Sequence, residues 1–323
     1  MRTFFIAAFA TVAAATSFHE WTALHGKSYT SEEETVMRQA IYSYNLAKIA
    51  DHNAKNLSWT MAPNKFADLT STEFKARFAS GLRAHAHNRP HKVSGFRGIA
   101  VPAAVDWVSA GAVTPVKNQG DCGSCWSFST TGCVEGANFV ANGQLVSLSE
   151  QQLVDCSGAE GNQGCNGGLM DDAFQYIIDN GGICSEAAYP YEGVQGTCKS
   201  TSCQSVVSIV SYTDVTPNSE KALVAAIAQQ PVSIAVEADQ SSFQFYSGGV
   251  MTAACGTNLD HGVLAVGYGT DAAAGGDYYK VKNSWGADWG ESGYIRLGRG
   301  SAFGASGQCG IQMQPSYAIA SSN

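Results

Sequence analysis

The sequence predicts an α+β chain of two lobes, one helical and one a twisted antiparallel sheet or barrel, with a cleft between them and a helical segment ahead of both. Three observations predict it. Apolar residues recur at helical spacing after Cys125, and a helix start reads at Ser149. Beyond about residue 205 the pattern changes to short alternating runs. Charge, histidine and cysteine all divide near residue 100. At 323 residues the chain can bury a core in each part.

Residues 1–17 carry one basic residue, Arg2, an apolar run at 4–10 and small residues at 13–15. That is the layout of a secretory signal peptide, too short for a membrane span. No later stretch has 18 uninterrupted apolar residues, so no membrane partner is expected once the signal is removed. Ser31-Glu32-Glu33-Glu34 reads as a capping box opening a helix, with Val36, Met37, Ile41, Tyr44 and Ile49 as its apolar stripe up to about Asn53. Such a helix is marginal alone and is expected to fold back onto a partner surface. Residues 80–98 turn to Gly, Arg, His, Asn and Pro and read as an exposed linker. The expected divisions are therefore 1–17, 18–100 and 101–323.

In the last of these, a helix is read through Trp126, Phe128, Cys133, Val134, Ala137 and Val140, closing at Asn142-Gly143. Ser149-Glu150-Gln151-Gln152 reads as a second capping box. Residues 232–236, 262–268, 278–282 and 293–297 read as strands.

Residues 1–100 hold 12 Lys/Arg against 7 Asp/Glu, while 101–323 hold 7 against 20, so a +5 segment faces a −13 domain. An acidic domain argues against a nucleic-acid partner. All ten cysteines follow residue 120, and of seven histidines only His261 follows residue 100.

Gln119-Gly120-Asp121-Cys122-Gly123-Ser124-Cys125-Trp126 carries the chemistry. A Cys-x-x-Cys pair is also half a zinc site, but the one histidine of the domain lies 136 residues on. A dithiol redox motif would need a preceding strand. The nucleophilic reading places Cys125 in the first turn of a helix, where unpaired amides and the dipole favour thiolate. His261 is then the sole imidazole partner. Asn283, in Lys282-Asn283-Ser284-Trp285-Gly286, is the polar group to hold its ring.

These blocks, together with Val113 to Gln119, Cys165-Asn166-Gly167-Gly168 and Asp260-His261-Gly262, resemble the papain family of cysteine endopeptidases, cathepsin L-like members in particular, over essentially the whole chain. The resemblance implies a papain-like two-lobed fold, helical left lobe and β-barrel-like right lobe. It implies Cys125 as nucleophile, His261 as general acid/base, Asn283 as the residue orienting the imidazole and Gln119 as a side-chain oxyanion donor. Trp285 would cover the Asn–His hydrogen bond. Gly167 and Gly168 would let substrate backbone approach, with Leu169, Met170, Ala235 and Leu259 lining an apolar pocket and Gln314 at its base. No cofactor or metal is implied.

Glu34, Arg38, Tyr42, Asn45, Ile49 and Asn53, followed by residues 62–68, resemble the two motifs of cathepsin L-type propeptides, with Tyr42 for Phe and Ala62 for Gly. Residues 18–100 are thus expected to be an inhibitory pro-segment lying through the cleft in the non-productive direction. Acid would release it through carboxylates or through its own unfolding, with His85, His87 and His91 only modulating. The resemblance also implies the bridges Cys122–Cys165, Cys156–Cys198 and Cys255–Cys309; a fourth, Cys184–Cys203, is added as a hypothesis that leaves Cys133 free beside Cys125. The expected partners are polypeptide substrates, the pro-segment itself and cystatin-like inhibitors of a monomer, in the secretory pathway and then a lysosome, a vacuole or the exterior. With no histidine after residue 100 except His261, the histidine-bearing insertion of exopeptidase relatives is absent, so endopeptidase activity is expected. The one glycosylation acceptor, Asn56-Leu57-Ser58, falls in the pro-segment. A catalytically dead binding protein and a stand-alone inhibitor are the rival readings. The intact Cys, His and Asn disfavour the first, and the catalytic portion disfavours the second.

Overall fold

The computed structural model describes residues 17–83, 92–94 and 101–322; the expected signal peptide apart from Ser17, and His85, His87 and His91, lie outside the described residues. The N-terminal segment consists of α1 (Phe18–Leu24), α2 (Glu32–Asn53), β1 (Trp59–Met61), α3 (Ser71–Phe78) and β2 (Lys92–Ser94).

Helices α1 and α3 start with reciprocal caps, Ser17 with Glu20 and Thr70 with Glu73. At α2 the expected box is half formed. Ser31 Oγ accepts from the Glu34 amide at 3.1 Å, but the Glu34 carboxylate turns to the Thr30 amide and hydroxyl at 2.9 and 2.7 Å. Thr30 offers two donors where the Ser31 backbone offers one. The apolar stripe expected for α2 is also corrected: Val36, Met37 and Tyr44 are 61, 47 and 62% exposed. The buried face is Tyr42, Asn45, Ile49 and His52. Asn45 Nδ2 donates to the carbonyls of Ala67 and Leu69, both at 2.9 Å, and His52 Nε2 lies 3.1 Å from the Trp59 carbonyl. Hydrogen bonds to a distant loop and strand, rather than hydropathy alone, choose the face that turns inward.

The C-terminal part opens with β3 (Val105–Asp106) and a helical lobe of α4 (Cys125–Asn142), α5 (Glu150–Cys156) and α6 (Met170–Asp179), beside the small pair β4 (Ile183–Cys184) and β5 (Ser205–Val207). Gly143 ends α4 in the left-handed region, φ 71°, which a glycine adopts without a Cβ penalty. The α5 cap is again half a box: Ser149 Oγ takes the Gln152 amide, while the Gln152 side chain is drawn away to the Cys184 amide.

There follow β6 (Ile209–Val215), α7 (Glu220–Ile227), β7 (Val232–Val236), α8 (Ser241–Gln244), β8 (Tyr246–Met251), β9 (His261–Asp271), β10 (Gly276–Lys282), β11 (Tyr294–Gly298) and β12 (Ser316–Ala320). The strands form one sheet in the order β1-β8-β11-β10-β9-β7-β12-β6-β2, with β3 also on β9. Pairing is antiparallel except between β8 and β11 and between β2 and β6. Both outer strands of this order belong to the N-terminal segment. Residues 80–98 are therefore not simply an exposed linker, since Lys92–Ser94 pairs with residues 213–215.

Two apolar cores result. One packs α4, α5 and α6 against the sheet through Trp126, Cys133, Leu153, Phe174 and Leu264. The other is shared across the expected boundary: Trp21, Tyr42, Phe66, Phe74 and Phe78 of the N-terminal segment pack with Phe243, Trp285 and Trp289. The disulfides are Cys122–Cys165, Cys156–Cys198, Cys184–Cys203 and Cys255–Cys309, leaving Cys125 and Cys133 as buried thiols.

Candidate active site

Cys125 is the first residue of α4, and the loop before it is pinned from both sides. Cys122 is bridged to Cys165, and the Gly123 amide donates to the Cys165 carbonyl at 3.0 Å. A Cβ on Gly123 would come within 2.5 Å of that carbonyl, so only glycine permits the approach. Across the cleft, His261 begins β9 and Asn283 follows the last residue of β10. Because β9 and β10 are antiparallel neighbours, the start of one lies near the end of the other.

His261 Nε2 lies 2.8 Å from Asn283 Oδ1. A carboxamide oxygen only accepts, so the proton sits on Nε2 and leaves Nδ1 bare, and Nδ1 is buried without a hydrogen-bond partner. The Gly262 amide donates to Cys125 Sγ at 3.3 Å, which holds the sulfur against the strand that His261 opens. The Trp285 ring stacks over the imidazole at 4.6 Å and 24°, and is itself wedged by Phe74 and Trp289 at 5.2 and 5.0 Å. Gln119 is fully buried. Its Oε1 accepts from Ser284 Oγ at 2.7 Å, and its Nε2 donates to the Cys122 carbonyl at 3.1 Å.

Electrostatics run against the sequence expectation of a thiolate. Burial pushes the Cys125 thiol up to about 12, Asp260 adding to the rise, while the Gly262 and Trp126 amides oppose it. Burial also pulls His261 down to about 4 against the pull of Asn283. In this form both groups are neutral.

The cover comes from the N-terminal segment. Gly81, Leu82 and Arg83 run through the cleft, and Leu82 bridges Gly168 in the parallel sense. The Gly168 amide donates to the Gly81 carbonyl at 3.0 Å, the Arg83 amide to the Gly168 carbonyl at 3.1 Å, and the Leu82 amide to the Asp260 carbonyl at 3.1 Å. The Leu82 side chain packs against the cluster that contains Met170 and Ala235, as does Leu259. Leu169, next to Met170 in sequence, is also buried, and Gln314 lies half-buried just ahead of β12. Among the described residues, three ion pairs tie the basic segment to the acidic domain: Lys65–Asp288 at 3.0 Å, Lys75–Asp239 at 2.6 Å and Arg77–Asp121 at 2.7 Å. Sequence reasoning missed Ser284, although it stands inside the block quoted around Asn283. The resemblance implied a pro-segment lying through the cleft, but composition holds no signal that residues 81–83 are the stretch that fills it.

Residues 101–319 match the family described as papain family cysteine protease, and residues 18–74 match the cathepsin propeptide inhibitor domain. The chain belongs to the papain family of cysteine proteases. It is 48% identical to cysteine proteinase RD21A of Arabidopsis thaliana, covering 94% of this chain and 66% of that one. It is 46% identical to the senescence-specific cysteine protease SAG39 of Oryza sativa subsp. indica, covering 95% and 91%. Among solved structures, a recombinant stem bromelain precursor superposes with a TM-score of 0.87 at 40% identity, over 93% of this chain and 97% of that one. Procathepsin L 3 of Tenebrio molitor larval midgut superposes at 0.83 with 45% identity, over 93% and 97%. This member of the papain family is a zymogen: an enzyme domain whose cleft is filled by an inhibitor domain of its own chain.

Proposed function

We propose that this papain-family chain is an endopeptidase working through Cys125, His261 and Asn283. The observation that carries this reading is the run of contacts from Asn283 Oδ1 to His261 Nε2, and from the Gly262 amide to Cys125 Sγ. Once the cleft opens, His261 Nδ1 takes the proton of Cys125 and the thiolate attacks a peptide carbonyl. The Gln119 side chain and the Cys125 amide receive the developing oxyanion. Collapse breaks the C–N bond as His261 returns its proton to the leaving amine. Water, deprotonated by His261, then hydrolyses the thioester and regenerates the thiol.

The proposed divisions are a signal peptide at 1–17, an inhibitory pro-segment at 18–100 and the peptidase at 101–323. A covered thiol with its acidity suppressed supports inhibition by residence in the cleft, and the parallel bridge of Leu82 on Gly168 supports a direction unlike that of substrate. The seating of Leu82 supports a preference for an apolar side chain second upstream of the cut. Release at acidic pH belongs to the same reading, because the attraction between a +5 segment and a −13 domain weakens as carboxylates in general take up protons. Four disulfides fit the secretory pathway, with delivery to a lysosome, a vacuole or the exterior, and a monomer answering to cystatin-like inhibitors. The test is incubation of the purified precursor at acidic pH beside Cys125→Ala. Wild type should shorten and hydrolyse peptides while the variant stays whole and inert; an inert wild type overturns the reading.

A further inference from the structure

We propose that Tyr191 is a positioning residue for the oxyanion hole, holding its two donors at a set separation. The proposal rests on the oxyanion role assigned above to Gln119 and the Cys125 amide. Those two donors sit on different pieces of chain, one on the loop ahead of the Cys122–Cys165 bridge and the other at the start of α4. The Tyr191 hydroxyl touches both pieces. It donates to the Gln119 carbonyl at 2.8 Å and lies 2.6 Å from Ser124 Oγ, on the residue immediately before Cys125.

The direction of these bonds follows from counting protons. A phenol has one, and a carbonyl only accepts, so the Tyr191 proton goes to Gln119 and the Ser124 hydroxyl donates to the phenol oxygen. The other acceptor near Ser124 Oγ, the Cys122 carbonyl, is at 3.5 Å, too long to compete. Ser124 and Gln119 are both fully buried, so neither bond exchanges freely with water. Burial raises the phenol to about 12, so it keeps its proton throughout the working range. Tyr191 is itself held. Its amide donates to the Glu186 carboxylate at 2.9 Å, and its ring meets Phe128 of α4 edge-on at 4.9 Å. The phenol thus fixes the Gln119 backbone while Ser284 fixes its side chain. A preorganised donor pair loses its effect when either donor drifts by a fraction of an ångström.

Tyr191→Phe keeps the ring and the Phe128 contact and removes only the strut. In the processed enzyme, kcat for a peptide substrate should fall about tenfold, part of the roughly 10²–10³ that a whole oxyanion donor carries. KM, and the rate at which iodoacetamide alkylates Cys125, should stay within twofold, because alkylation develops no oxyanion. Added to Gln119→Ala, the same change should cost less than twofold more. Ser124→Ala removes the other hydroxyl and reads the same strut if Tyr191→Phe accumulates poorly; the two together should cost no more than the larger alone. The proposal is overturned if kcat is unchanged, if alkylation slows in step with kcat, or if the loss persists undiminished in Gln119→Ala. A silent Gln119→Ala would overturn the oxyanion reading and this proposal with it. A costly Gln119→Ala with a silent Tyr191→Phe overturns this proposal alone.

Discussion

Gly81 of the pro-segment lies so close over Cys125 that a Cβ on it would stand 2.7 Å from the thiol sulfur and 2.7 Å from the Gly123 carbonyl. The Gly123 carbonyl is backbone and the Cys125 sulfur is held by the Gly262 amide, so any residue but glycine must lift the strap. Gly81→Ala is expected to speed iodoacetamide labelling of Cys125 in the unprocessed precursor by roughly tenfold or more, the population shift of about 1.4 kcal/mol or more. Equal labelling rates would mean that the strap is not what shields the thiol.

The three ion pairs across the boundary are not equivalent. Lys65 is 20% exposed in its side chain and also donates to the Trp285 carbonyl at 2.5 Å, whereas Arg77 and Asp121 are 43 and 63% exposed. A charged donor lost from a partly buried carbonyl costs about 1.5–3 kcal/mol, and an exposed pair about 0.2–1. Lys65→Ala should therefore raise the same labelling rate by roughly tenfold or more, and Arg77→Ala by no more than a few-fold. The reverse order in parallel assays would show that surface charge, not the buried contact, holds the pro-segment.

Asp260 and His261 answer acid in opposite senses. His261, held near 4 by burial, refuses a proton that the unfolded chain accepts at about 6.5, so the closed form loses stability as pH falls from 6.5 to 4. Asp260, raised to about 7 mainly by burial and by Asp239, with Lys75 opposing, takes a proton that the unfolded chain declines until about 4, so the closed form gains stability over that window. Neither residue alone sets the trigger. In a Cys125→Ala background that cannot process itself, Asp260→Asn should melt higher than its parent at pH 8, by about 2–4 °C for each kcal/mol gained, and level with it at pH 4. Equal melting at pH 8 would remove Asp260 from the account.

Two thiols remain among the described residues, Cys125 under the strap and Cys133 in the apolar lobe, where its sulfur accepts from the Ala318 amide at 3.4 Å. Intact mass after alkylation in denaturant without reductant should therefore show two added groups. Four would mean that one bridge is open, and alkylated Cys184 and Cys203 in the peptide map would show that it is theirs.

The chain order of the main elements was legible, and for a physical reason. The helix from Cys125 and the strands at 232–236, 262–268, 278–282 and 293–297 read from local periodicity, because each buries one apolar face or lies wholly inside. Helix α2 did not read this way. Its inward face is half polar, and Asn45 is buried only because the Ala67 and Leu69 carbonyls arrive 22 and 24 residues later. The caps at Ser31 and Ser149 were placed correctly, but their reciprocal halves were lost to nonlocal or flanking donors.

By itself the sequence determined the inventory. The peptidase part holds one histidine, and an N-terminal segment of opposite charge precedes it. Those are properties of composition and order, and no folding alters them. Only the tertiary structure decided the state of that inventory. Whether Cys125 is thiol or thiolate depends on how much water reaches it, and Gly81, more than forty residues away in the chain, lies directly over its sulfur. Desolvation depends on what packs against a group in space, which residue order alone does not record.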